Sequence, residues 1–289
     1  MRNAAQLKGI IKNMSLEKGI KANAILQNYM LEVLLEYIAN SKYKKNFILK
    51  GGMLISSIVG IANRTTMDID ATVKGISLSE ENLSSIFNEI INIKLDERFS
   101  FVIKKIEKIR EEDEYEGFRL AIESTFETII VPLKVDISTG DKITPKEINY
   151  SFKSLFEDKY IEILAYNIET ILAEKFETIL SRGILNTRAR DFYDVYILLS
   201  LRKNDINQIY LKKALDETTQ KRGSVDILNE SIAIINKIKT NENMKNIWYK
   251  YTKKYDYAKE INYEDVIEKV FELNKILFVT CTIIWKSME

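Results

Sequence analysis

Histidine is missing from all 289 residues. That excludes His-based triads, histidine general bases and His-containing zinc sites, so acid–base work falls to carboxylates, lysine or tyrosine. Cys281 is the only cysteine, which excludes an internal disulfide or a multi-cysteine metal site and fits a reducing cytosol. Its thiol reads as a small buried hydrophobe rather than a nucleophile. With two prolines and ten glycines there is little to build a long disordered linker, and no internal repeat is present. The N-terminal stretch MRNAAQLKGIIKNMSLEKG lacks a signal-peptide core, and no uninterrupted apolar run approaches the roughly 18 residues of a membrane span. The expected location is the cytoplasm, with no membrane partner. Charge of one sign is lacking too: 43 basic against 42 acidic residues leave +1. No global field announces a nucleic acid, so any such contact must come from a local patch.

What is present begins with a 46% hydrophobic content, enough for a sizeable core in one large or two modest domains. The chain is organised around Lys50–Lys74, KGGMLISSIVGIANRTTMDIDATVK. Phe47-Ile48-Leu49 suits a short buried strand; Gly51-Gly52 break it, and Leu54, Ile55, Ile58 and Val59 then follow helical spacing. Glycines at a helix start let backbone approach a ligand, and free first-turn N–H groups favour an anion such as a triphosphate. Lys50, Gly51 and Gly52 are therefore candidate phosphate-binding residues. After the helix comes Asp68-Ile69-Asp70. On a strand, alternate side chains share a face, so the two carboxylates project together, about 7 Å apart at Cα, while Ile69 faces the core. Such a pair repels itself unless cations intervene, and hard oxygen ligands suit Mg²⁺, or Mn²⁺, together with the phosphates of an NTP substrate.

Along the rest of the chain, residues 1–45 are expected to be helical, with Ser15 as an N-cap before the stripe Ile20, Leu26, Met30, Val33, Leu34, Tyr37 and Ile38. Ser79 is expected to cap a further helix. Runs from Phe99, Phe118 and Ile129 then alternate like strands, giving a mixed sheet fed by helices on its N-terminal side, with acidic and glycine-bearing turns between the strands. Beyond Gly140-Asp141 the pattern reads as helical to the end, ending in a core helix or strand at Ile276–Trp285. The expected organisation is an α/β domain over 1–145 and a helical C-terminal domain over 146–289. Near the end, Lys245, Trp248, Lys250, Lys253 and Lys254 interleave lysine with aromatics. That composition stacks on bases and holds phosphates; it equally describes a helix burying Trp248 beneath solvated lysines.

The segments GGMLISSIVG…RTTMDID, VDISTGDKITP, AYNIETILAEKF and RARDFYDVYIL resemble, in order, the motifs of the AbiEii/AbiGii toxin family, the nucleotidyltransferase-like toxins of bacterial abortive-infection (type IV toxin–antitoxin) systems. The resemblance runs from Phe47 to Leu199. It implies a nucleotidyltransferase-fold mixed sheet with N-terminal helices and a C-terminal helical domain, with Asp68 and Asp70 as metal ligands and Gly51-Gly52 as the phosphate turn. It places Asp136 at the third acidic position, sharing the metal and taking the proton of the attacking hydroxyl. Lys175 and Asp191 match the lysine and aspartate the family needs. Lys175 would neutralise the triphosphate, and Asp191 would orient Lys175 or a substrate hydroxyl. The plainer reading makes Lys175 and Glu174 a solvated helix face, and Asp191 with Arg188 or Arg190 a local ion pair. Arg64 and Thr66 could reach phosphate oxygens; Arg64 could instead cap a helix or pair with Asp68. One departure stands out: Met53 occupies the place after the glycine pair where the family commonly has serine or threonine.

The implied activity is Mg²⁺-dependent transfer of a nucleoside monophosphate from an NTP to an acceptor hydroxyl, the 3′ end of tRNA being an acceptor for relatives. Growth inhibition or phage defence would follow, with a cognate antitoxin encoded nearby. Two rivals remain: a kinase-like toxin moving a γ-phosphoryl group, and a non-catalytic nucleotide- or RNA-binding protein of the same fold.

Overall fold

A computed structural model describes residues 3–109 and 117–286, with side chains as far as residue 278 in the last helix. Cys281 and Trp285 fall outside the described side chains, as does the acidic turn expected around 110–116. The chain divides into two units, one formed by residues 1–141 and 147–166, the other by 142–146 and 167–289.

The first unit opens with α1 (Ala4–Lys18) and α2 (Ala22–Ala39). Ser15 lies inside α1 rather than at a cap. Asn3 caps the helix, its side chain accepting from Gln6 N, and Gly19 closes it at φ 65. The one-helix stripe expected here is thus two helices. In α2 buried residues run almost all round the helix, including the polar Gln27, Asn28 and Glu32, so each of these needs an internal partner.

The core is a seven-stranded mixed sheet in the order β3-β4-β5-β2-β1-β7-β6. Its strands are β1 (Phe47–Lys50), β2 (Ile69–Val73), β3 (Phe99–Ile109), β4 (Gly117–Phe126), β5 (Ile129–Thr139), β6 (Ile148–Lys153) and β7 (Tyr160–Ala165). Helix α3 (Gly51–Val59) links β1 to β2, and α4 (Glu80–Ile91) follows β2, capped by Ser79 as expected. Strands β1 and β2 pair antiparallel, whereas β2 with β5 and β1 with β7 pair parallel.

The helical reading beyond Asp141 is overturned by β6 and β7. Ile161, Ile163 and Ala165 are buried while Glu162 is exposed, a period of two over too few residues to separate from the helix that follows. Asn167 marks the true start of that helix by accepting from Thr170 N at 2.8 Å. In the division at 145/146 expected from sequence, both strands would fall with the helices; in the structure they complete the sheet.

The second unit is helical: α5 (Ile168–Arg182), α6 (Ala189–Arg202), α7 (Gln208–Arg222), α8 (Ser231–Thr240), α9 (Glu242–Lys254) and α10 (Tyr263–Lys286). The run at Ile276–Trp285 is therefore helix.

Candidate active site

β1 delivers Lys50, and α3 begins at the next residue. Gly51 takes φ +65, and a Cβ there would stand 2.0 Å from Asp70 Oδ2. At Gly52 a Cβ would lie 2.7 Å from Thr66 Oγ1. The backbone N–H of Gly52 donates to Asp70 Oδ2 at 3.3 Å. The glycine turn expected to hold phosphate therefore also seats the second carboxylate of the D-x-D pair.

Strand register then draws a row of charge across the sheet. Lys50 pairs with Asp70, Asp70 with Asp136, Asp136 with Arg119, and Arg119 with Glu107. Directly paired residues share a sheet face. Their strand neighbours Leu49, Ile69, Val135, Ile137, Phe118 and Leu120 are buried, which sets the apolar side and leaves the charged row on the other. Neighbouring strands lie about 4.8 Å apart, so Asp136 is beside Asp70, and Asp68 stands two residues before Asp70, at the entry to β2.

The electrostatics follow from this crowding. Burial, then the charges of Asp68 and Asp136, push Asp70 up to about 6, against the opposing pull of Lys50 and the Gly52 N–H. Lys50 itself is held by a pocket that sequence reasoning missed: its ammonium donates to Asp141 Oδ2 at 2.6 Å and Ser138 Oγ at 2.8 Å. The Tyr166 hydroxyl donates to the same Asp141 oxygen at 2.8 Å. Asp136 is gripped from the other side, Arg119 Nε donating to Oδ1 at 2.8 Å and Nη2 to Oδ2 at 2.7 Å.

Among the described residues no three acidic side chains stand as a ready-made metal cage, and Arg119 holds both oxygens of Asp136. The donor chemistry nevertheless fits a hard divalent cation: Asp70 is disfavoured as an anion by burial and then by its two acidic neighbours, a penalty that added positive charge offsets.

The loop before Asp68 is pinned from α2. Gln27 Nε2 donates to Met67 O at 3.2 Å and Pro132 O at 2.9 Å, and Asn28 Nδ2 donates to Thr66 O at 2.9 Å. Thr66 Oγ1 then donates to Asp68 Oδ1 at 2.9 Å. Arg64 is buried, and its guanidinium bonds the Thr65 carbonyl. Gln27 and Asn28 carried no sequence signal beyond being polar within an apolar stripe.

In the second unit, Lys175 on α5 reaches Asp191 Oδ1 at 2.6 Å and Asp194 Oδ2 at 3.1 Å on α6. Both aspartates are buried and Lys175 is four-fifths covered, at 20% side-chain exposure. The solvated-face reading of Lys175 fails on that burial. Asp194, three residues after Asp191 and on the same helix face, was not singled out from the sequence.

A profile of the AbiEii nucleotidyl transferase toxins, type IV toxin–antitoxin system, matches residues 32–269. The chain belongs to this AbiEii family. No curated protein sequence matches it. Among solved structures, a candidate nucleotidyltransferase from H. pylori superposes with a TM-score of 0.50 at 16% identity, covering 92% of this chain and 98% of that one. At that identity the likeness shows the shared fold. JHP933 from Helicobacter pylori gives a TM-score of 0.49 at 14% identity, covering 93% and 100%.

In this AbiEii chain Met53, which follows the glycine pair, is 2% exposed and part of the core. Ser56 and Ser57, one turn on, bond Arg64 O and the Tyr150 hydroxyl. The hydroxyl beside the glycine turn is instead that of Thr66. On α9 of this AbiEii chain Trp248 is buried and donates its indole N–H to Ile261 O at 3.0 Å, so its ring is core rather than a base platform. Lys245 pairs with Glu242 at 2.7 Å, while Lys250, Lys253 and Lys254 are exposed, Lys253 lying 4.3 Å from the ring centre of the exposed Tyr249. Among the described residues no helix is long and apolar enough to cross a membrane.

Proposed function

We propose that this AbiEii chain is a Mg²⁺-dependent nucleotidyltransferase toxin that moves a nucleoside monophosphate from an NTP to an RNA hydroxyl, the 3′ end of tRNA, in the cytoplasm. The observation that carries the reading is the register pairing of Asp70 with Asp136, which sets a third carboxylate beside the D-x-D pair. Asp68 and Asp70, with Asp136, would hold the cation, which when bound supplies the charge that steadies a triphosphate and acidifies an attacking hydroxyl. Asp136 takes the hydroxyl proton, the oxygen bonds to the α-phosphorus, and the bond from that phosphorus to the β-phosphate oxygen breaks, releasing pyrophosphate. Lys50, the Gly51-Gly52 amides, Arg64 and Thr66 orient the phosphates; Lys175 and Asp191, which match the lysine and aspartate of the family resemblance, are needed for the same activity. Exposed Lys250, Lys253 and Lys254, with Lys245, contact the RNA backbone. A cognate antitoxin encoded nearby restrains the activity, and growth arrest limits phage.

Incubation with α-labelled NTP, Mg²⁺ and total RNA tests the reading. Label should enter RNA with wild type and not with Asp70→Ala, and equal labelling by both would remove the carboxylates from the chemistry. Transfer of γ-label instead would establish the kinase-like rival, and nucleotide binding without pyrophosphate release would establish the binding protein.

A further inference from the structure

We propose that Arg119 is a built-in rival of the divalent cation, clamping Asp136 until a cation displaces the guanidinium. The inference rests on the metal reading of Asp68, Asp70 and Asp136. Its ground is the fork-on-fork contact: each Asp136 oxygen accepts one Arg119 N–H, at 2.8 and 2.7 Å, so the carboxylate's charge is already met by a guanidinium through two charge-assisted bonds. A guanidinium and a metal ion held on the same two oxygens repel each other, so the fork weakens the hold of Asp136 on a cation for as long as it stays closed.

The clamp is built to open on one side. Arg119's side chain is 41% exposed against 18% for Asp136, so the arginine can swing into water while the carboxylate stays on its strand. Its cross-strand neighbour on the side away from Asp136 is Glu107, an anion that also pairs with Lys105 and toward which a displaced guanidinium can turn. On the far side of the carboxylates, Lys50 is already neutralised by Asp141. Arg119 is thus the cation bonded directly to the third carboxylate of the Asp68–Asp70–Asp136 group. As an ion pair this exposed, it adds little to fold stability; its effect falls on the affinity of Asp136 for other cations. It is a positioning residue, acting through Asp136.

Mn²⁺ titration of the full chain without nucleotide, read by the electron paramagnetic resonance of free Mn²⁺, tests this. Arg119→Gln should bind Mn²⁺ about twofold to fivefold more tightly than wild type, the size expected for loss of one competing exposed pair. Arg119→Lys, which keeps the charge without the fork, should fall between them and carries the test if Arg119→Gln does not fold. In an Asp136→Asn background the Arg119→Gln effect should vanish. Unchanged or weaker Mn²⁺ binding by the Arg119 variants, with wild type binding normally, overturns the clamp and leaves the metal reading standing. No Mn²⁺ binding by any of the proteins overturns both.

Discussion

Gly51 and Asp70 compete for one place: the space a Cβ on Gly51 would fill is taken by the Asp70 carboxylate, 2.0 Å away. The left-handed φ of Gly51 and this contact together predict the outcome of Gly51→Ala. The strained backbone should cost roughly 1–3 kcal/mol, and displacement of the carboxylate by an ångström or so should lower nucleotide transfer about 100-fold or more. Thermal melts and the α-label assay read the two effects separately. An alanine variant that keeps full transfer would mean that Asp70 need not sit where the turn puts it.

The parts of the site legible in the sequence are those fixed by neighbours along the chain. Gly51-Gly52, Asp68 and Asp70 lie within one strand–helix–strand unit, and the alternation of β3, β4 and β5 is long enough to declare itself. What stayed hidden depends on exact register and on contacts far along the chain. Arg119 faces Asp136 because β4 and β5 join through the two-residue turn Glu127-Thr128, and a shift of one residue would have broken the pair; nothing local marks Ser138, Asp141 and Tyr166 as the cradle of Lys50. Strands β6 and β7 were lost because a six-residue strand running into an apolar helix has too few periods to break the helical reading. Trp248 was ambiguous by composition, and burial decided it.

Lys175 lies between two buried carboxylates, and that changes what its removal does. Lys175→Ala leaves Asp191 and Asp194 without the countercharge, so the variant should lose about 2–4 kcal/mol as well as activity. Adding Asp194→Asn removes one of the stranded charges. The double variant should regain much of the lost stability while transfer stays abolished. If transfer returns with stability, Lys175 is an architectural ion and not a participant in the reaction.

Gln27 acts at a distance of one layer. Its amide bonds Met67 O and Pro132 O, tying the entry to Asp68 to the strand that carries Asp136. Gln27→Leu removes both bonds, at about 0.5–1.5 kcal/mol each, and loosens the spacing of the carboxylates. The expected signature is a higher Mg²⁺ concentration for half-maximal transfer, with transfer at saturating Mg²⁺ much less affected. A variant whose Mg²⁺ curve overlays wild type would show that the loop keeps its place without Gln27.

Glu32 supplies the pH dependence. Buried in α2, it accepts from the Ser154 hydroxyl and from Leu155 N at 2.7 Å, yet burial outweighs these bonds and pushes its carboxyl from 4.5 up to about 7. The folded state thus prefers the protonated form. The stability this confers is complete below pH 4.5, shrinks as pH rises toward 7 and is gone above it. Its size over that window is on the order of 3 kcal/mol. Glu32→Gln stays neutral throughout: its amide oxygen can accept from Leu155 N while its NH₂ group donates to Ser154. Urea melts should therefore show wild type losing stability relative to Glu32→Gln between pH 4.5 and 7, with the variant the more stable protein at pH 8. Parallel pH profiles for the two proteins would mean that Glu32 is ionised in the fold at an ordinary pH, its two hydrogen bonds outweighing the cost of burial.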